Sequence, residues 1–183
     1  MKKINVIGTT GSGKSTFANR LADKLRYTCI HMDQLFWKPE WVESSDEEFF
    51  PKVEIAVSGE TWVLDGNYSR TNQIKWANAD TVIWLDYSYH RTLFQLLNRT
   101  VTRAVTKEEL WPGTGNRESF RRAFMSKDSI FIWFFRCYKR NKVKYEALDR
   151  SFRQSHISFI RLRSPKEADA FIERVGSHID DSV

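Results

Sequence analysis

The chain has 183 residues, with 29 Lys and Arg against 23 Asp and Glu for a net charge of +6, and is 41% apolar and 14% aromatic. This length suits one α/β domain able to bury a core, and the composition excludes disorder. Two cysteines without CxxC spacing exclude a disulfide scaffold or a zinc ribbon.

The longest apolar run, residues 130–135, is far short of the roughly 18 to 20 residues that span a bilayer. The opening MKKINVIG has no room for the apolar stretch of a signal peptide. A cytoplasmic protein is therefore expected. Charge is uneven: residues 91–163 carry 17 Lys and Arg against 6 Asp and Glu, while both flanks are acidic. Such a basic segment can recruit a triphosphate, a phosphorylated metabolite or nucleic acid.

In chain order, residues 3–7 read as a short buried strand. A glycine-rich turn follows, then a helix over 14–25 with Phe17, Ala18, Leu21, Ala22 and Leu25 on one face. Residues 27–32 form a second strand ending at Asp33, and 62–64 a third ending at Asp65. Between them a helical insert is expected over about 34–60, opening at Ser45 with Glu48 completing a capping box, and with a break or late start at Pro51.

Residues 81–85 are a fourth strand ending at Asp86, and 93–105 are helical. The sequence WPGTGNR over 111–117 is loop chemistry, part of a mobile lid expected over about 103–122. Ile130, Trp133, Phe134, Cys137 and Tyr138 mark a basic amphipathic helix. A fifth strand over 157–162 and a helix over 165–175 complete the chain. Strands alternating with helices imply a three-layer fold, a mainly parallel five-stranded sheet with helices on both faces and ligands at the carboxyl ends of the strands. Gly8, Asp33, Asp65 and Asp86 all fall at that edge.

Gly8, four residues, Gly13, Lys14 and Ser15 satisfy G-x-x-x-x-G-K-[ST], the P-loop. Successive N–H groups from Gly8, Thr9, Thr10, Gly11, Ser12, Gly13, Lys14, Ser15 and Thr16 can curl around the phosphates of ATP or GTP, helped by the positive end of the following helix. Lys14 reaches the β and γ phosphates, and Ser15 is placed to ligate Mg²⁺. Of the arginines flanking the glycine-containing loop, Arg103 and Arg117 are the choices to neutralise charge on a transferring phosphoryl group. Phe36, Trp37 and Trp41 either pack the insert or stack on an acceptor, and Trp37 is the acceptor candidate. His31, on a strand without metal-ligand spacing, reads as a packed or substrate-facing histidine.

GTTGSGKST over 8–16, DGNYSR over 65–70 and ADTVIWLD over 79–86 together resemble the adenylate-kinase-like branch of P-loop kinases. HMDQLFWKPEW over 31–41, DGNYS, NRESF over 116–120 and LRSPKEADAF over 162–171 resemble the bacterial DNA topology modulation, or FlaR-type, proteins. The resemblance implies an adenylate-kinase-like P-loop NTPase fold in one kinase-like domain over 1–183. It also implies that Asp65 holds Mg²⁺ through water near the acceptor, that Arg70 binds an anion of the acceptor, and that Ser164 and Pro165 lie near the nucleotide base. Asp33 is implied to face the acceptor, where a carboxylate serves as general base for a hydroxyl, or only binds the acceptor. The function expected is phosphoryl transfer from ATP or GTP, with Mg²⁺, to a small hydroxyl or nucleotide-like acceptor. The alternative is a nucleic-acid-associated NTPase or regulatory protein, although no DNA-binding motif is present.

Overall fold

The computed structural model describes the backbone of residues 1–107, 109–117 and 129–180, with side chains as far as residue 175. The later part of the expected lid, including Arg121 and Arg122, lies outside the described residues. Alternating apolar and polar segments give β1 (Lys3–Gly8), α1 (Lys14–Leu25), β2 (Thr28–His31), α2 (Met32–Phe36), α3 (Asp46–Ala56), β3 (Trp62–Asp65) and α4 (Asn72–Asn78). They continue with β4 (Thr81–Leu85), α5 (Tyr89–Thr106), α6 (Ile130–Phe152), β5 (Ser158–Leu162) and α7 (Pro165–Asp180).

All five strands pair in parallel in the order β2-β3-β1-β4-β5. The central strand β1 sends Ile4 and Val6 to a core shared with Phe17 and Leu21 of α1 and Phe171 of α7. Its Ile7 joins Val82, Trp84 and Tyr145 of α6 in a second core. A period of two thus builds the three expected layers. A third core, with Met32, Phe36, Phe49 and Val53, packs the insert onto Trp62 and Leu64 of β3. Among the described residues no helix is long and apolar enough to cross a membrane.

Several boundaries differ from expectation. β2 stops at His31, so Asp33 sits in the first turn of α2 rather than at a strand end. The Ser45–Glu48 capping box forms, and α3 then runs continuously through Pro51. Proline removes only one helical N–H there, and buried Phe49 and Val53 hold both sides of it to the core. α5 begins four residues before the expected start, and α4 was not anticipated because its polar sequence shows no apolar stripe. Asp86 is taken up by Arg161, which donates two hydrogen bonds to one carboxylate oxygen at 2.9 and 2.6 Å and lies over the Trp84 ring. It supports the sheet edge rather than a ligand.

The buried residue of α4 is Lys75, 0% exposed, whose ammonium donates to the Tyr68 carbonyl at 3.3 Å. Burial first, and the charge of Lys144 second, pull its pKa down to about 7. Between that value and the ordinary lysine range the unfolded chain holds a proton that the folded chain does not, so stability rises with pH across this window. Lys75→Met should raise the melting temperature at pH 7 by about 2–4 °C or more, the scale of 1 kcal/mol in a chain this long. It should also flatten the rise in melting temperature from pH 7 to 10, which thermal melts across that range will show.

Candidate active site

The phosphate loop joins β1 to α1. Gly13 caps α1 with φ 83°, in the left-handed region where a side chain is strained. Gly11, also at φ 83°, lies so close to α5 that a Cβ would sit 2.8 Å from the Thr92 carbonyl and 2.7 Å from the Leu96 Cβ. Asn67 then clamps the loop's first residue. Its Oδ1 accepts from the Gly8 N–H at 3.1 Å and its Nδ2 donates to the Gly8 carbonyl at 2.5 Å. Sequence reading did not single out Asn67; its place one residue after a strand-end Asp-Gly was the available signal.

Between the loop and α5 lies a cleft of about 540 Å³. Gly11, Gly13, Lys14, Ser15 and Thr16 form one wall, and Arg91, Gln95, Asn98, Arg99 and Arg103 belong to the other. Its volume is within the range of small-molecule sites, and the start of α1 and a row of arginines on its walls suit an anion. Thr9 and Ser12 are buried beneath the loop, and Thr10 is half-buried between them.

Lys14 donates to the Thr9 carbonyl at 3.3 Å. Burial lowers its pKa, opposed by the charges of Asp65 and Asp33 and reinforced by Arg99. Those four groups therefore share one electrostatic neighbourhood, drawn from the loop, α2, β3 and α5. Asp65 is 7% exposed. Burial alone would raise its carboxyl, but the hydrogen bond from His31, the Lys14 charge and the neighbouring Ser15 hydroxyl hold it below the usual carboxylate range.

His31 Nδ1 lies 3.2 Å from Asp65 Oδ2, and its Nε2 lies 3.0 Å from Asn19 Oδ1. The Asp65 hydrogen bond, followed by that of Cys29, raises the imidazole pKa to about 10, which makes His31 a charged partner of Asp65. The other Asp65 oxygen, Oδ1, is buried and accepts no protein hydrogen bond.

This donor set fits Mg²⁺ held mainly by ligand and water. Among the described residues no group of three or more His, Cys, Asp or Glu gathers to hold a metal alone. Ser15 offers one hydroxyl on the cleft wall and Asp65 one unused oxygen.

On the other side of Asp65, the Tyr68 hydroxyl donates to Asp33 Oδ1 at 2.6 Å. Surrounding protein raises the Asp33 carboxyl, the Tyr68 hydrogen bond opposes this, and nearby Asp65 adds to the rise. Asp33 nevertheless remains solvent-accessible, so the group is open to a ligand. Arg70 is ion-paired with Asp46 at 2.9 Å and lies over the Phe36 and Phe49 rings at 4.8 and 5.5 Å. Trp37 stacks on Trp111 with an interplanar angle of 11°, and both meet Trp41 edge-on.

Arg103 is thus on the cleft wall with Lys14, whereas Arg117 pairs in a short bridge with Glu109 at the base of a hairpin over 109–117. That hairpin is docked on the insert: Asn116, 1% exposed, accepts from the Trp41 N–H and donates to the Lys38 carbonyl, both at 2.9 Å. The Ser164 hydroxyl accepts from the Glu167 N–H, a side-chain cap that starts α7 at Pro165, while Glu167 accepts from the N–H of the preceding Arg163. Ser164 and Pro165 are therefore placed as helix start at the end of β5.

A phosphate loop at the end of the central strand of this sheet, facing a cationic cleft, defines a P-loop kinase of the adenylate-kinase-like type. The chain matches no protein-family profile. The shikimate kinase of Sulfurihydrogenibium sp. (strain YO3AOP1) is 33% identical over 115 residues, spanning 54% of this chain and 68% of that enzyme; the chain belongs to the family of that kinase.

Solved structures share the fold. They include an unliganded sugar kinase from Janibacter sp. HTCC2649 (TM-score 0.52, 16% identity, 98% of this chain and 95% of that one). A gluconokinase from Sinorhizobium meliloti 1021 (0.50, 17%, 99% and 97%) and a shikimate kinase from Acinetobacter baumannii in complex with shikimate (0.52, 14%, 100% and 94%) are similar in the same way. The chain is a small-molecule kinase.

Because Asn67 anchors both polar groups of Gly8, Asn67→Asp should keep the contact to the N–H and set a charge against the carbonyl. Leaving such a group unsatisfied costs about 1–3 kcal/mol. The expected result is a lower melting temperature and at least about 5-fold weaker binding of a fluorescent ATP analogue, read by titration.

Proposed function

We propose that this kinase transfers the terminal phosphoryl group of ATP, or GTP, to a hydroxyl of a small-molecule acceptor. The observation that carries this reading is Asp33: an accessible carboxylate with a raised pKa, oriented by Tyr68, in the same field as Lys14 and Asp65. A hydroxyl benefits from a base, whereas an acceptor phosphate already presents an ionised oxygen.

In this reading the N–H groups of residues 8–16 cradle the phosphates, and Lys14 leaves the Thr9 carbonyl to meet the β and γ oxygens. Asp33 takes the acceptor's proton as its oxygen attacks, while the Tyr68 hydrogen bond keeps the carboxylate aimed. Arg103, from the cleft wall, and Arg117, from the hairpin, offset the charge on the moving phosphoryl group. Mg²⁺, held by Ser15 and through water by Asp65, would supply charge neutralisation between the phosphates. Trp37 and Arg70 lie on the acceptor side, and Ser164 and Pro165 on the base side.

The relatives are named for small-molecule kinases, which favours this reading over a nucleic-acid-associated NTPase. The motif likeness to the FlaR-type proteins fits as a subgroup assignment and names no acceptor. Localisation in the cytoplasm follows from the same reading, since ATP and small metabolites meet there.

Asp33→Asn is the direct test, because the amide keeps the shape and loses the base. The transfer rate to an acceptor found by ADP release should fall by roughly 10² to 10⁴, with ATP affinity within a few-fold of the parent. The acidic limb of the pH–rate profile, centred above the ordinary aspartate range, should vanish with it. Lys14→Ala should lower transfer by about 10² to 10³ without unfolding the chain. Parental turnover in either variant would remove that residue from the mechanism.

A further inference from the structure

Asp65 uses its two oxygens unequally. Oδ2 lies 3.2 Å from His31 Nδ1, while Oδ1 is buried and accepts no protein hydrogen bond. The carboxylate torsion of an aspartate is broad, so a contact to one oxygen fixes the other only if the donor is itself fixed. His31 is held at its far end: Nε2 lies 3.0 Å from Asn19 Oδ1, with the Cys29 sulfur, a weaker acceptor, at 3.7 Å. Asn19 stands four residues after Ser15 on α1, and side chains at that spacing share one face of a helix. The Ser15 hydroxyl neighbours Asp65 in turn. Four side chains from α1, β2 and β3 therefore close a ring, in which Asn19 and His31 join the two metal-side groups from behind.

We propose that His31 and Asn19 are positioning residues for the metal: together they fix the Asp65 Oδ1 atom relative to the Ser15 hydroxyl and so set how tightly nucleotide-bound Mg²⁺ is held. The inference rests on the kinase reading, which gives Ser15 and Asp65 to the metal. Neither His31 nor Asn19 lines the cleft between the phosphate loop and α5, so their effect reaches a ligand through the two groups they hold. Mg²⁺ demands near-ideal octahedral geometry, which makes its affinity sensitive to a small turn of a supporting carboxylate. Without His31, the Asp65 carboxylate is free to rotate toward Lys14, its other cationic neighbour. Without Asn19, the imidazole keeps its bond to Asp65 but loses the contact that fixes the ring. Hydrogen-bond partners of this kind, one step behind the groups that face a metal, commonly govern its affinity.

The test titrates Mg²⁺ into the chain held in excess over a fluorescent, non-hydrolysable ATP analogue, and separately measures affinity for that analogue in EDTA. His31→Phe should raise the Mg²⁺ midpoint by about 10-fold or more, and Asn19→Ala by about 3-fold or more, the scale of one hydrogen bond. Asn19→Asp keeps an acceptor for the ring and should hold the midpoint at or below that of the wild type. Affinity in EDTA should match the parent in all three variants, because the phosphate loop itself is untouched. If melting shows His31→Phe to be unfolded, Asn19→Ala decides alone, since Asn19 is exposed and its loss opens no core. Unchanged midpoints in the variants would overturn the proposal, as would an Asn19→Asp chain as weak as Asn19→Ala. An equal loss of affinity in EDTA and in Mg²⁺ would also overturn it, by assigning the ring a purely structural role. These midpoints need no turnover, so failure of the kinase reading shows separately, as ATP turnover that survives Lys14→Ala.

Discussion

The site depends on keeping one carboxylate charged inside the protein. An isolated buried carboxylate costs several kcal/mol, and a partner must be geometrically exact to repay that cost. Asp65 has two cationic neighbours, His31 and Lys14, and sheet register supplies the first: His31 and Asp65 are direct cross-strand partners of β2 and β3. The same residue of β3 is registered against Val6 of β1, two residues before the loop begins. Strand pairing therefore sets the chemistry. A slip of β2 by one residue would send His31 to the opposite face and leave Asp65 with half its compensation.

From that carboxylate the chain runs directly into a turn that touches every part of the site. The Gly66 N–H donates to the Val6 carbonyl, Asn67 holds Gly8, Tyr68 holds Asp33, and Arg70 holds Asp46 of the insert. From behind, Lys75 donates to the Tyr68 carbonyl and Lys144 of α6 to the Ser69 hydroxyl. Six consecutive residues thus connect phosphate loop, the Asp33 carboxylate and insert. Rigid backing of this kind is what phosphoryl transfer asks of a protein, because positioning and fixed charge supply most of the rate.

What was legible in the sequence was local. The phosphate loop is recognised from eight residues, the α3 capping box from four, and the buried face of α1 from its spacing, because in each case the physical cause acts over one or two turns. The pairs that finish the site span long separations: Asn67 to Gly8 crosses 59 residues, Asp86 to Arg161 crosses 75, and His31 to Asp65 crosses 34. No periodicity announces such partners. His31 in particular looked unpartnered because a parallel ladder, not sequence spacing, brings it to Asp65. α4 escaped for a related reason: its buried residue is a lysine, and a stripe of apolar residues is the signal by which a helix is read.

The hairpin over 109–117, the described part of the expected lid beyond α5, is held by more than its two ends. A lid anchored only by its hinges would leave its polar groups to water when open. Here Asn116 is buried and spends its amide on the backbone of Lys38 and Trp41, while Trp111 packs on Trp37 and Trp41. Lifting the hairpin alone would strand two backbone groups and a buried amide, at about 1–3 kcal/mol each, and expose aromatic surface besides. Moving hairpin and insert as one body preserves all of these contacts, so that is the cheaper motion. Since α5 carries Arg103 on the cleft wall and leads into this hairpin, the insert is mechanically joined to the wall that faces the phosphate loop. A displacement of the insert is thereby transmitted to the end of α5 through packed side chains, with no separate element needed to carry it.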